Sequence, residues 1–294
     1  MPQKKCVFVV NPISGLGKQK DIPALIRQHL DSSRFEYEIV FTEYPTHATE
    51  IGKKYRNQAD YIVAVGGDGT INETASALLG SDTALGIIPL GSGNGFARHL
   101  NISTNPIRAI KQLNHAQESP LDVGFLNEYP FFNVSGTGFD ALISKKFARQ
   151  TRRGYATYIR CVWEEIANYR PRSYRYKLNG TEVEDEFFFI AFANSEQYGN
   201  NAIIAPQAET NDGLLDIVMV KPFPVAYTVT FTLLSFSRLI HLSPYVEIFQ
   251  TDHFEVQQLN DPLIHIDGEY VETDSQKLEV SLRPNNLQVL RPIN

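Results

Sequence analysis

Residues 63–73 read Val-Ala-Val-Gly-Gly-Asp-Gly-Thr-Ile-Asn-Glu, a β-branched run that passes through three glycines and a carboxylate into a helix-forming stretch. A strand that yields at once to Gly66, Gly67 and Gly69 exposes its main chain, because glycine tolerates positive φ and has no Cβ to hold a ligand away. Unpaired amides at the start of the following helix favour an anion, so the segment suits a phosphate chain. A carboxylate inside such a loop would repel phosphate unless it holds Mg²⁺ or organises the loop, which singles out Asp68. Thr70 or Asn72 is expected to cap the helix. The plainer reading is a tight turn that merely caps a helix; it suits a lone Gly-Gly but accounts poorly for the attached Asp-Gly-Thr-Ile-Asn-Glu.

A second glycine loop, Pro89-Leu90-Gly91-Ser92-Gly93-Asn94-Gly95, also follows an apolar run and precedes a helical stretch. Ser92 can donate its hydroxyl to phosphate, and Asn94 can bond phosphate or backbone. By itself this loop is as well read as a structural turn. Near the start, Asn11-Pro12-Ile13-Ser14-Gly15-Leu16-Gly17-Lys18 joins strand to helix without the spacing of a Walker loop. Asn11 and Pro12 fit packing against the other loops as well as they fit contact with a nucleotide.

These loops sit in an alternating pattern. Strand-like runs at 6–10, 37–41, 61–65 and 84–88 are separated by helical stretches at 18–30, 48–56 and 70–79, which predicts βαβ units and a mainly parallel sheet. The glycine loops then fall at strand ends, where open α/β sheets place ligands. Beyond about Asp122 the pattern changes to strand-like runs at 131–134, 174–178, 187–192, 214–220, 245–249 and 278–282, with one clear helix at 155–166. Since single cores stop growing near 250 to 300 residues, a chain of 294 residues is expected to form two domains. The expected division is 1–122 for the α/β domain and 123–283 for a β-rich one, with 284–294 returning as a strand to the first.

Composition removes several classes. With 27 basic and 33 acidic residues the net charge is −6, which argues against nucleic acid as a partner. Cys6 and Cys161 are the two cysteines, too few and too far apart for a disulfide framework, and a reducing cytoplasm is expected. The seven histidines form no zinc array. The uncharged stretch 222–237 is too short to span a bilayer and reads as a helix or core segment, with Val225, Val229, Leu233, Phe236 and Ile240 at helical spacing.

Asn-Pro-x-Ser-Gly at 11–15, Gly-Gly-Asp-Gly-Thr-x-Asn-Glu at 66–73 and Pro-Leu-Gly-Ser-Gly-Asn at 89–94 resemble, in order and approximate spacing, the catalytic domain shared by diacylglycerol kinases, sphingosine kinases and bacterial lipid kinases. The family commonly has Thr where Ser92 stands and Asp where Gly95 stands. The resemblance implies an α/β N-terminal domain like that of phosphofructokinases and NAD kinases, followed by a β-sandwich domain. It also implies ATP as phosphoryl donor with Mg²⁺, contacted by Asn11, Thr42, Gly66, Gly67, Asp68, Gly69, Thr70, Ile71, Asn72 and Ser92.

The resemblance extends to Asn211-Asp212-Gly213-Leu214-Leu215-Asp216 and His265-Ile266-Asp267-Gly268-Glu269. It implies a divalent cation held by Asp212 with main-chain oxygens of Glu209 and Leu214. It assigns Asp267 as the base that takes the acceptor's proton, a step an alcohol needs at neutral pH, and Glu269 as a group positioning metal or substrate. Asp-Gly is also a hairpin signal, and for either pair alone a turn is the simpler reading. The implied acceptor is a lipid alcohol, diacylglycerol first, then a sphingoid base or ceramide, within phospholipid biosynthesis. The alternatives are an NAD kinase-like enzyme and an inactive nucleotide-binding regulator. The run Lys145, Lys146, Arg149, Arg152, Arg153 and Arg160 suits either transient contact with anionic head groups, giving a peripheral membrane protein in the cytoplasm, or plain solvation. A homodimer is compatible with all of this.

Overall fold

Three apolar runs buried along most of their length, with a more exposed edge strand beside them, set up the first sheet. In chain order the elements are β1 (Lys4–Val10), α1 (Ile22–His29), β2 (Phe35–Phe41), α2 (His47–Tyr55), β3 (Tyr61–Gly66), α3 (Asp68–Leu78), β4 (Ala84–Pro89), α4 (Gly95–His99) and α5 (Pro106–Leu113). The strands pair in the order β2-β1-β3-β4, all parallel. A sheet buried on both faces needs apolar residues at consecutive positions, which is why Cys6–Val10 is an unbroken apolar run. Register sets where the loops begin. Val10 lies opposite both Phe41 and Val65, and Gly66 lies opposite Pro89, so Asn11, Thr42, Gly67 and Leu90 leave the sheet along one edge.

The structure is a computed structural model that describes residues 2–14, 21–150, 154–178, 180–260 and 262–293. Gly15, Gly17, Lys18, Arg152 and Arg153 lie outside the described residues. The chain divides into two compact units, Met1–Asp122 with Pro284–Asn294, and Val123–Arg283. Residues 284–291 run beside β4 in the first unit, with Val289 opposite Leu85.

The later elements are β5 (Gln117–Leu126), β6 (Tyr129–Phe131), β7 (Val134–Gly138), α6 (Phe139–Ala148), α7 (Tyr155–Ile166), β8 (Arg172–Leu178), β9 (Thr181–Phe187), β10 (Phe189–Ala193), β11 (Gln197–Gly199), β12 (Ala202–Ile203), β13 (Leu215–Val220), α8 (Thr228–Phe236), β14 (Val246–Thr251), β15 (His253–Gln258), β16 (Ile264–Ile266), β17 (Glu269–Val271) and β18 (Lys277–Arg291). Strands β14-β13-β10-β7-β16-β17 form one antiparallel sheet. Strands β9, β8, β15 and the first half of β18 form the facing one. Between them lies a core that includes Phe131, Tyr174, Phe187, Phe192, Met219 and Leu278, the interior of a β-sandwich. The outer face of the six-stranded sheet is covered by side chains of α6, α7 and the segment around α8, including Ile143, Cys161, Ile166 and Ile240.

Two local expectations change. The strand expected at 131–134 is broken at Phe132 and Asn133, where β6 stops and β7 begins. The stretch 222–237 is helical in part but is not a core helix, since Val225, Val229, Leu233 and Phe236 are exposed and Ile240 alone of the five is buried. Thr228 and Ser235 are buried instead, and Phe231 and Leu234 pack partly buried against the core.

Gly124 pairs with Phe131 across β5 and β6, and the Phe131 ring lies where a side chain on residue 124 would go, 2.2 Å from the site of a Cβ. Phe131 is fully buried and has no room to withdraw. Gly124→Ala is therefore expected to destabilise the protein by about 1–3 kcal/mol, read as a lower urea midpoint at unchanged m-value.

Candidate active site

At the carboxyl edge of the first sheet the backbone turns are held by specific side chains. Asp68 is the first residue of α3, whose N-cap is Gly67 and whose first turn has no side-chain cap. Neither Thr70 nor Asn72 is the cap, because the helix starts before them. The Asp68 carboxylate instead reaches the second glycine loop. Its Oδ2 accepts the Asn94 N–H at 2.9 Å and its Oδ1 accepts the Gly95 N–H at 3.1 Å. Burial pushes the Asp68 carboxyl above the usual range, while those two amides and the Arg98 charge pull it back toward ionisation. Arg98 also donates to the Gly93 carbonyl oxygen at 3.2 Å.

The two loops touch backbone to backbone. Leu90 N–H donates to the Gly66 carbonyl at 2.7 Å, and a Cβ on Gly91 would lie 2.8 Å from Gly67 Cα and 2.8 Å from Asn94 Oδ1. Gly66 is constrained from the other side, since a Cβ there would meet Thr70 at 2.7 Å. The first loop joins the same assembly: Asn11 Nδ2 donates to Thr70 Oγ1 at 3.0 Å, and Asn11 Oδ1 accepts the Ile13 N–H. Glu73 accepts the Thr46 N–H at 3.1 Å, tying the loop after β2 to α3.

The residues expected around a nucleotide thus converge in part. Asn11, Gly66, Gly67, Asp68, Thr70 and the second loop form one bonded group, with Ser92 exposed upon it. Gly69 and Asn72 are half-buried on the first turn of α3, and Thr42 is buried just beyond β2. Ile71 differs: its side chain is in the core and its N–H is taken by the Gly67 carbonyl at 3.1 Å, so it supports the helix. The uncapped start of α3 can hold phosphate oxygens through main-chain amides.

In the second unit Asp267 and Gly268 are the turn between β16 and β17, with φ of 48° and 86°. The hairpin expected of Asp-Gly is present here. Asp267 Oδ2 accepts the Phe132 N–H at 3.0 Å and Oδ1 the Asn133 N–H at 2.9 Å, which explains the break between β6 and β7. Glu269 is exposed beside the turn.

Behind this turn lies a buried chain that the sequence alone did not announce. Gly268 N–H donates to His265 Nδ1 at 3.1 Å, so Nδ1 is unprotonated and Nε2 carries the hydrogen, donating to Asp140 Oδ2 at 3.0 Å. Tyr198, whose phenol burial holds in the protonated form, donates to the same oxygen at 3.0 Å. A Cβ on Gly136 would lie 2.7 Å from Asp140 Oδ2, so the cluster needs glycine there. His265, one residue from the Asp-Gly turn, was the available signal; nothing local marked Asp140 or Tyr198.

Asp212 is exposed, and its Oδ1 accepts the Leu214 N–H at 3.0 Å in an Asx turn over Gly213. Glu209 is exposed shortly before it. Burial pushes nearby Asp216 up to about 6, against the Gln250 amide and with the Asp212 charge. Among the described residues no group of three His, Cys, Asp or Glu side chains could hold a metal ion, so a cation at this turn would depend on carbonyl oxygens.

The diacylglycerol kinase catalytic domain model matches residues 5–126, and that of the YegS C-terminal NAD kinase beta sandwich-like domain matches residues 133–291. A diacylglycerol kinase of Mycobacterium tuberculosis is 31% identical over 251 residues, covering 79% of this chain and 77% of that one. A protein of Chromohalobacter salexigens named "probable lipid kinase YegS-like" is 31% identical over 214 residues, covering 71% and 69%. A solved diacylglycerol kinase structure from Bacillus anthracis str. Sterne shares the fold, with a TM-score of 0.76 at 20% identity over 99% of this chain and 98% of that one. The chain belongs to the diacylglycerol kinase and YegS-like family of lipid kinases.

The loop contact predicts an asymmetry. A Cβ on Gly67 would sit 3.4 Å from Gly91 Cα, an ordinary contact, whereas one on Gly91 would collide with backbone at 2.8 Å. Gly91→Ala is expected to weaken ATP binding about tenfold or more and Gly67→Ala less than about threefold, by calorimetry on proteins of matching circular dichroism. The larger Gly67→Val should behave like Gly91→Ala.

Proposed function

We propose that this enzyme transfers the γ-phosphoryl group of ATP to the free hydroxyl of diacylglycerol, forming phosphatidic acid and ADP. The observation that carries the reading is the Asp68 carboxylate bonded to the Asn94 and Gly95 amides, which aligns two glycine loops over the uncapped start of α3. Such a surface suits a triphosphate. The choice of diacylglycerol follows the names of the Mycobacterium tuberculosis and Bacillus subtilis relatives.

In this reading the acceptor oxygen bonds to the γ-phosphorus as the bond to the bridging oxygen breaks, and ADP leaves with that electron pair. The hydroxyl proton passes to Asp267. Its oxygens already accept two amides, which fix its direction toward the acceptor, and proton transfer accompanies formation of the oxygen–phosphorus bond. His265 and Asp140 act as positioning residues, holding the turn through the Gly268 N–H. Mg²⁺, when bound with ATP, neutralises the phosphates. Asp212 with the main-chain oxygens of Glu209 and Leu214 would hold a further cation; an all-oxygen set suits a hard ion. Because diacylglycerol resides in bilayers, the enzyme would meet its substrate at a membrane surface. Among the described residues no helix is long and apolar enough to cross a membrane.

The test is turnover of ATP against dispersed diacylglycerol, a sphingoid base, ceramide and NAD, with products separated by mass. Phosphatidic acid as the dominant product is expected; a dominant phosphorylated NAD or sphingoid product would replace this assignment. Asp267→Asn is expected to lower turnover by about 10² to 10⁴ while ATP affinity stays within about threefold, since the base acts on the acceptor. Near-native turnover in a folded Asp267→Asn protein would remove Asp267 from this role.

A further inference from the structure

Residues 225–242 carry six of the twelve large apolar side chains that stand exposed among the described residues: Val225, Val229, Leu233, Phe236, Leu239 and Leu242, between 42% and 63% exposed. The first four follow spacings of four, four and three, so they share one face of α8 and the 3₁₀ turn Val225–Tyr227 that leads into it. Leu239 and Leu242 extend the strip through the turn Ile240–Leu242. The other six exposed apolar side chains are scattered along the chain.

The helix is firmly attached, so the strip does not result from fraying. Ser235 is buried and its Oγ donates to the Ile203 carbonyl at 2.7 Å. Thr228 is buried, and the Phe231 ring stacks on Phe223 with centroids 5.4 Å apart. Phe231 and Leu234 pack against the core beneath. Ser235 anchors the helix from beneath, Phe231 and Leu234 pack inward, and a continuous apolar strip faces water. Exposed strips of this kind mark a binding surface.

Charge narrows the partner. Between residues 222 and 246 the single Asp, Glu, Lys or Arg is Arg238, and its guanidinium is held by Glu196 at 2.6 Å and the Pro206 carbonyl at 3.2 Å. The strip is thus electrically neutral within a chain of net charge −6. The flanking exposed side chains Thr230, Thr232 and Ser237 are uncharged hydrogen-bonding groups.

We propose that this face inserts into the interface of a lipid bilayer and seats the kinase on the membrane that holds its acceptor. The proposal rests on the lipid-kinase reading, whose acceptor keeps its acyl chains in a bilayer. Binding through apolar area with an uncharged polar border scales with the surface buried and responds little to lipid charge or salt. Docking through Lys145, Lys146 and Arg149 would instead fade as salt shortens the Debye length.

The experiment is co-sedimentation of the intact protein with phosphatidylcholine vesicles at low and high salt, beside turnover of detergent-dispersed diacylglycerol. Wild type is expected to bind at both salts. Leu233→Ser with Leu242→Ser should lower the partition coefficient about tenfold or more at both, with melting temperature and detergent turnover unchanged. Equal binding by variant and wild type overturns the proposal, as does binding that Arg149→Gln abolishes and the leucine pair does not. So does a light-scattering dimer that the leucine pair splits, which would make a second copy the cover. Wild type that turns over dispersed lipid without binding vesicles removes the membrane seat and leaves the kinase reading standing; absence of lipid turnover removes the kinase reading itself.

Discussion

The paired glycine loops of the first unit depend on one carboxylate placed where a carboxylate should be unwelcome. Asp68 stands at the first position of α3, in a loop suited to phosphate, yet both its oxygens are committed to amides of the neighbouring loop. The amides of Asn94 and Gly95 are occupied by it, while the start of α3 has no side-chain cap. The glycines follow from the same bond. Asp68 draws the second loop so close that Gly91 meets Gly67 across backbone atoms, and a Cβ on Gly93 would lie 3.0 Å from Asp68 Oδ2.

The second unit repeats this solution in a different fold. Asp267 also directs its two oxygens at consecutive amides, those of Phe132 and Asn133, and so fastens a hairpin tip to the point where two strands part. A carboxylate that accepts two main-chain amides is held in a fixed direction. The buried Asp140 extends that order inward. It accepts from Ala141, Tyr198 and His265, which selects one tautomer of the imidazole and leaves Nδ1 to receive the Gly268 N–H. A hairpin built of two residues at positive φ would otherwise have little to keep it in place.

How much of this was legible in the sequence depends on the range of each interaction. The parallel sheet was legible because a strand buried on both faces must be apolar at consecutive positions, as in residues 6–10 and 84–88, and helices of suitable length separate the strands. The sandwich was legible as a run of strands without crossover helices. The glycine loops announced themselves because a backbone that must approach closely excludes Cβ atoms locally. By contrast, the bond from Asp68 to Asn94 spans 26 positions, and that from His265 to Asp140 spans 125. No local pattern records such pairings. The capping role expected of Thr70 failed for a related reason: its hydroxyl is engaged by Asn11, 59 positions earlier, and the helix begins at Asp68.

The segment around α8 shows why apolar spacing alone could not decide between core and surface. Periodicity establishes that Val225, Val229, Leu233 and Phe236 share a face, and nothing more, because a face that seeks any apolar medium has the same spacing whichever medium it meets. Burial inside the protein requires room, and here the room was already filled. Phe189, Phe223, Phe231, Tyr227 and Tyr245 form a contiguous aromatic group beneath the helix. Those rings occupy the inner side, with Ser235 and Thr228 buried beside them, and Val225, Val229, Leu233 and Phe236 stay outside. Apolar side chains thus stand on both sides of the helix, Phe231 and Leu234 inward and Val229, Leu233 and Phe236 outward. An aromatic cluster suits a rigid interior that rewards specific ring contacts, whereas Val and Leu suit an environment that rewards area without demanding shape.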